Sequence, residues 1–171
     1  LVERQYVVAR GVDDFICVEL SNGIGASVFC NGTAVSGAHG VAGELGHTVV
    51  DLSASQLCYC GKTGCAELGA SFPELARNIA KAVERGAITR LDRGAVTPEA
   101  LRRALGEGDR LCRFYVDRAA RQAGAAIANA VNLLNPALVV LYGYMLELGD
   151  YYLDRLREAI RANTLEISRD Y

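Results

Sequence analysis

The sequence predicts an α/β fold, and three observations carry that prediction. The first half reads as short strands separated by turn dipeptides, the second half reads as amphipathic helices, and one late apolar run is bounded by Pro and Gly. The implied order is β-β-β-α-β-α with extra helices. FICVEL (15–20), ASVFC (26–30) and TAVSG (33–37) are rich in β-formers. Asn22-Gly23 and Asn31-Gly32 are dipeptides favoured by type I′ turns, whose two central residues both need positive φ, so the three segments are expected to form a meander. A glycine-rich run, GAHGVAGELGH (37–47), leads to a brief strand candidate, TVVD (48–51), and to a loop holding Cys58, Cys60 and Cys65.

The pattern changes at Phe72. FPELARNIAKAVERGA has helical spacing, with Pro73 suited to a first turn. Thr97-Pro98-Glu99 is a cap and first turn that opens a second helix, EALRRAL. A long helix is expected over 109–134, because Val116, Ala120, Ala123, Ile127, Val131 and Leu134 recur at steps of three and four. Gly124, Ala125 and Ala126 allow close approach to a neighbouring element, and Asn135-Pro136 ends the helix. ALVVLYG (137–143) has the look of a buried parallel strand. A last helix is expected over about 146–162, with Leu148, Tyr152, Leu156 and Ile160 on one face.

Composition narrows the function classes. The 171 residues are 51% hydrophobic and 22% charged, with a formal charge of −2. Such a chain is too apolar for a disordered segment and lacks the basic excess of a nucleic-acid binder. No apolar stretch approaches the ~18–20 residues of a membrane span, and the opening LVERQYVVAR has no apolar signal-peptide core. Of six cysteines, Cys17, Cys30 and Cys112 lie in apolar contexts that suit buried thiols, whereas Cys58, Cys60 and Cys65 are clustered. A reducing, cytoplasmic setting fits that usage.

His47, Cys58, Cys60 and Cys65 form H-x10-C-x-C-x4-C. Three thiolates and one imidazole are the soft, four-ligand set of a structural zinc site, and a closed set leaves no position for a catalytic water. Gly61 and Gly64 let the backbone turn back between the ligands. A redox pair would more often read C-x-x-C. Glu44 and Glu67 flank the cluster, in G-E-L-G-H and G-C-A-E. Two carboxylates beside an imidazole suit a polyhydroxylated ligand, since each accepts strong hydroxyl hydrogen bonds. They suit equally well solvated loop charges or, for Glu67, a favourable charge at a helix start.

The segments L-x-x-G-I-G-A (20–26), G-x-x-x-x-A-G-E-L-G-H (37–47) and C-Y-C-G-K-T-G-C-A-E-L-G-A-S (58–71) resemble the ROK family, as do V-N-L-L-N-P (131–136) and the strand after it. That family contains bacterial sugar kinases and sugar-responsive transcriptional repressors. The resemblance implies that His47, Cys58, Cys60 and Cys65 bind structural Zn2+. It implies that Glu44, His47 and Glu67 contact sugar hydroxyls, with His47 serving both metal and sugar. Gly23 and Gly25 match the family's second phosphate-binding loop, although the Asn22-Gly23 pair by itself explains an ordinary turn. The fold implied is the C-terminal half of the actin/hexokinase-like (ribonuclease H-like) ATPase superfamily: a three-strand meander, helices and a buried strand, with a zinc loop.

The resemblance covers only the second half of a ROK protein. The DxGxT phosphate loop and the family's catalytic Asp would lie before Leu1, a repressor's helix-turn-helix further upstream, and the last family segment beyond Tyr171. The expectation for residues 1–171 is therefore a sugar-binding domain without catalysis of its own, with DNA bound only through another domain and ATP/Mg2+ relevant only to a kinase parent. Family kinases read G-T-G-I-G-x-G in the phosphate loop and carry a Gly-Gly pair after the late strand. Here Ser21, Asn22 and Ser27 replace loop positions, and Tyr142-Gly143-Tyr144 stands after the strand. These departures favour a repressor's effector domain; a C-terminal kinase half with a variant nucleotide pocket is the alternative. His39 is expected to be a solvated loop residue, the arginines solvated helix faces, and Tyr142, Tyr144, Tyr151 and Tyr152 a packing cluster. A homo-oligomer is expected, and the Ala-rich long helix is read as core, with a dimer contact as the alternative.

Overall fold

A computed structural model describes residues 9–92 and 96–168. The expectations attached to Leu1 and Tyr171 fall outside them. Among the described residues, four strands form one sheet in the order β3-β2-β1-β4: β1 Phe15–Leu20, β2 Ile24–Cys30, β3 Thr33–Ala34 and β4 Leu138–Tyr142. β1 and β2 pair antiparallel from Phe15↔Phe29 to Leu20↔Ile24, and β1 and β4 pair parallel from Phe15↔Leu138 to Glu19↔Tyr142. The parallel pair requires a long crossover, which the helices supply. These are α1 Glu67–Ala70, α2 Phe72–Glu84, α3 Pro98–Gly106, α4 Arg110–Leu134 and α5 Asp150–Asn163. The mixed α/β architecture and the meander are as expected.

Alternation along β1 splits the core in two. Ile16, Val18 and Leu20 face the helices, where Val116, Ala120, Ala123 and Ile127 of α4 meet them at 1% exposure or less. Phe15 and Cys17 face the other way, with Phe29 stacked on Phe15 at 4.3 Å between centroids. Gly124 admits α5 to α4: a Cβ there would lie 2.4 Å from the Ala159 Cβ. Local signals set the helix ends. The Thr97 hydroxyl caps α3 by accepting the Ala100 N–H (3.2 Å), Asp109 caps α4, and Asn135 closes α4 in the left-handed region at φ 45°.

Several expectations need correction. Asn31 (φ 50°) and Gly32 (φ 70°) have the positive φ pair of a type I′ turn, but Asn22 and Gly23 do not; three residues, 21–23, span β1 and β2 instead. TAVSG contributes only Thr33–Ala34, and TVVD only a single bridge, Val49↔Cys65. β4 is half-buried throughout because it lies at the sheet edge among the described residues, not inside it. The last helix starts at Asp150, since Gly149 (φ 79°) separates it from a 3-10 turn over Tyr144–Leu148. Leu134 is 41% exposed at the fraying end of α4, and Cys30 is half-buried, whereas Cys17 and Cys112 are fully buried. No helix among the described residues is long and apolar enough to cross a membrane.

Candidate functional site

The metal knot is built by backbone turns. Leu45–His47 forms a 3-10 turn that presents His47, and the Val49↔Cys65 bridge sets the return strand beside it. Gly64 makes a tight bend: its φ is 75°, and a Cβ there would lie 2.2 Å from the Asp51 carbonyl oxygen. The Cys58 N–H donates to the Lys62 carbonyl at 2.8 Å, and the Lys62 ammonium donates to the His47 carbonyl at 2.8 Å. These bonds bring the ligand atoms of His47, Cys58, Cys60 and Cys65 within 4.8 Å of one another. Cys60 and Cys65 sulfurs are 3.5 Å apart, and His47 Nδ1 is 3.6 Å from the Cys58 sulfur. A tetrahedron with bonds of about 2.3 Å has edges of roughly 3.8 Å, so the donor set has the size and softness for one metal ion.

The thiols also need that charge. Burial pushes Cys65 up to about 12, aided by hydrogen bonds to Cys60 and Cys58. At Cys60 the Lys62 N–H is the main influence and holds the thiol below its ordinary value. A buried thiolate next to two more sulfurs is stabilised by a cation among them. The knot is tied to α4 through Asp51, whose carboxylate accepts from Gln122 Nε2 (3.3 Å) and faces Arg118 (3.7 Å). The Ser53 hydroxyl, followed by its N–H and the Arg118 charge, outweighs burial and keeps the Asp51 carboxyl below the usual carboxylate range.

Beside the knot lies an open cleft of about 830 Å³ between the β1–β2 turn, the end of β4 and the 37–66 segment. Glu44 and Glu67 both line it, as do Gly23 and Gly25. Glu67 opens α1, as its helix-start reading expected, and its Oε2 accepts the Ile24 N–H at 3.1 Å. A Cβ on Gly23 would lie 2.9 Å from that oxygen, so the glycine makes room for a carboxylate of the chain itself. The turn is internally bonded as well, since the Ser21 N–H donates to the Gly23 carbonyl at 3.0 Å. The cleft's charge is one-sided: Glu19, Glu44, Glu67 and Glu147 line it, with no Lys, Arg or His among the described lining residues. His47 directs Nδ1 at the Cys58 sulfur and Nε2 at the cleft-lining Tyr59 (2.6 Å) and Glu44 (3.8 Å), without lining the cleft itself. His39 is exposed.

Sequence reasoning missed Tyr59. It is 82% exposed, lines the cleft, and places its hydroxyl 2.6 Å from His47 Nε2. Its position between Cys58 and Cys60 was the available signal. The tyrosine cluster divides: Tyr152 is core, Tyr151 donates to Asp117 at 2.9 Å, and Tyr142 and Tyr144 line the cleft.

The comparisons agree with this geometry. The chain is 34% identical to the xylose repressor of Caldicellulosiruptor bescii, over 87% of this chain and 38% of that protein. It is 32% identical to a glucokinase of Halalkalibacterium halodurans, over 91% and 48%. Among solved structures it superposes on a ROK family transcriptional regulator, a homologue of the E. coli MLC protein, with a TM-score of 0.83 and 27% identity over 94% of this chain and 41% of that one. It superposes on a Streptomyces griseus ROK family glucokinase in complex with glucose and AMPPNP with a TM-score of 0.78 and 30% identity over 92% and 53%. The chain thus spans about half the length, or less, of these relatives, which divide between repressors and sugar kinases. Residues 1–168 match the ROK profile throughout, from the β1–β2 turn through the metal knot to the last helix, and the chain belongs to the ROK family.

Proposed function

We propose that the chain is the sugar-sensing domain of a ROK-type transcriptional regulator, corresponding to the C-terminal half of an actin/hexokinase-like fold. His47, Cys58, Cys60 and Cys65 hold a structural zinc ion. Glu44 and Glu67 take sugar hydroxyls in the cleft beside it. DNA is bound through a domain outside residues 1–171, and sugar binding changes how the two are disposed. The protein works in the cytoplasm as a homo-oligomer.

One observation supports the regulator reading over the kinase reading more than any other. The β1–β2 turn, where Gly23 and Gly25 would cradle a phosphate, turns its Ile24 N–H onto the Glu67 carboxylate. An anion there would meet a carboxylate where a kinase needs open backbone donors. Ser21 and Asn22 add side chains to the same turn and Ser27 to β2 beyond it, and the Ser21 hydroxyl accepts the Tyr144 N–H at 3.4 Å. Gly143, a remnant of the nucleotide side, is explained by packing: a Cβ there would lie 2.4 Å from the Leu20 carbonyl oxygen. The kinase reading draws on the glucokinase relatives, whose identities are close to those of the repressors.

The experiment is calorimetric titration of the full-length protein with D-xylose, D-glucose and N-acetyl-D-glucosamine, alongside an assay for sugar-dependent ATP hydrolysis. The expected result is binding of one of these sugars without turnover. Sugar-dependent turnover would convert the assignment to a kinase. Glu44→Gln is expected to weaken sugar binding about 10- to 100-fold, the worth of a charge-assisted hydrogen bond.

A further inference from the structure

We propose that Gln122 is the positioning residue for Glu67: from α4, its amide sets where the Glu67 carboxylate stands against the β1–β2 turn. Glu67 is carried by the short stretch 64–69, which has little structure of its own. α1 is a single turn, Glu67–Ala70, without a side-chain cap. Ala66 and Ala70 are fully buried and fix the depth of that turn in the core. Two methyl groups do little to fix its rotation or its slide along α4.

Gln122 reaches both ends of the stretch. Its Nε2 donates to Asp51 Oδ2 at 3.3 Å, and the Asp51 N–H donates to the Gly64 carbonyl at 3.3 Å. At the other end, a Cβ on Gly69 would collide with Gln122 Oε1. Gly69 has no positive φ, so its backbone would accept any residue; the close approach of Gln122 is what requires glycine there. Gly64 and Gly69 bracket Glu67, so one amide registers the chain before the carboxylate and after it. The amide is not free to turn over. Exchanging its ends would set the carbonyl oxygen against the Asp51 carboxylate, which Arg118 faces at 3.7 Å and the Ser53 hydroxyl donates to at 2.7 Å. Oε1 is buried and makes no hydrogen bond among the described residues. Its place is set by the bond at the other end of the amide and by the fit at Gly69.

The consequence reaches the cleft. Glu67 Oε2 accepts the Ile24 N–H at 3.1 Å, in the space that Gly23 leaves open. α4 is thereby linked to the β1–β2 turn through two glycine slots, Gly69 for the amide and Gly23 for the carboxylate. Loosening the first lets Glu67 withdraw from the second. The effect on a ligand rests on the sugar-sensing reading above; the effect on the turn does not.

The test uses the full-length protein with Gln122→Ala, Gly69→Ala and Glu67→Ala, singly and in pairs. Amide hydrogen exchange of Ile24, read by mass spectrometry on the peptides that cover it, reports the turn. Metal content reports the knot, and exchange across α4 and α5 reports the scaffold. Gln122→Ala is expected to speed exchange at Ile24 about three- to tenfold, as for one hydrogen bond loosened, with metal retained and the α4 and α5 peptides unchanged. Gly69→Ala should act alike, and adding it to Gln122→Ala should change nothing more. In the Glu67→Ala background, Gln122→Ala should leave Ile24 unaffected, since the group it places is gone. Unchanged Ile24 exchange in Gln122→Ala overturns the proposal. So does a loss of protection spread over α4 and α5, which marks general destabilisation, or an effect that persists without Glu67. If Gln122→Ala loses its metal, Gln122→Met, which keeps the bulk and lacks the Asp51 bond, decides by the same readings; metal loss there too overturns the proposal, since Gln122 then serves the knot. Calorimetry with D-xylose, D-glucose and N-acetyl-D-glucosamine should show Gln122→Ala binding the sugar weaker by about the same factor. Failure of the wild type to bind any of them removes the sugar-sensing reading and leaves the exchange result to decide the placement of Glu67.

Discussion

Two regions of the molecule are folded by opposite rules. In the helical layer, position follows burial: Val116, Ala119, Ala120 and Ala123 of α4 are fully buried, and Gly124 lets Ala159 of α5 approach. In the 37–66 segment most of the large apolar side chains are outside, and only Leu45 among them is buried in the core. Leu52 is 96% exposed and Leu57 70%, while Cys58 and Cys65 are inside at 2%. A segment with so little apolar surface buried cannot offset the entropy of ordering its backbone by the hydrophobic effect. Glycine bends and four soft ligands take over that task. The chemistry-bearing residues Glu44, His47, Tyr59 and Glu67 all belong to or border the second region. The comparison teaches that scaffold and site are stabilised separately, so each can be broken while the other persists.

The largest expected effect is the loss of a ligand. Cys65→Ala should abolish metal binding, whose apparent free energy in structural zinc sites is on the order of 10 kcal/mol. Limited proteolysis should then cut within 37–66 while the helical signal survives; cuts within α4 and α5 at equal rate would show that the regions are not separate. Acid should act in the same direction. The Cys65 thiol, already pushed up to about 12 by burial, must lose its proton to bind metal, so metal affinity should fall as pH falls.

The next largest effect probes the scaffold. Gly124→Leu drives a side chain into Ala159 and should destabilise the fold by about 3 kcal/mol, read by denaturant unfolding, with metal content unchanged. Asp109 comes third. Its carboxylate is 3% exposed, caps α4 through the Cys112 N–H (2.9 Å) and accepts from the Arg90 N–H and the Thr89 hydroxyl. Asp109→Ala should cost about 2 kcal/mol. Burial alone would raise this carboxyl, but the three hydrogen bonds hold it below the ordinary range. A depressed folded value means that the stabilisation is present above about pH 4 and is lost as pH falls through the folded value. Asp109→Asn should accordingly flatten the acid limb of the stability curve. The smallest effect on stability should come from Glu44→Gln, within about 0.5 kcal/mol, since its side chain is 63% exposed. Its consequence should appear in sugar affinity alone.

What was legible in the sequence follows the same division. Burial periodicity located α4 to within one residue, because a stripe of Val, Ala and Ile at steps of three and four has one helical solution. The four ligands were legible from residue type and spacing. Asn31-Gly32 behaved as its local propensity required, whereas Asn22-Gly23 did not, because Glu67, 43 residues from Ile24, bonds the turn. TVVD looked like a strand, but its partner Cys65 is held by the knot and leaves room for one bridge only. β4 was read as buried from an apolar run, and the run holds no signal for an edge position. Tyr59 was legible only as a residue placed between two ligand positions: nothing in C-Y-C says which way the ring turns, and the His47 nitrogen beside its hydroxyl is 12 residues away.

The central claim is that a metal knot organises a sugar cleft on a scaffold that stands without it. Metal analysis and calorimetric sugar titration of the full-length protein, before and after chelation, test it most directly. The account predicts one metal ion per chain, and a stripped protein that keeps its helical circular dichroism but loses sugar binding until metal is restored. A stripped protein that binds sugar with unchanged affinity would contradict it.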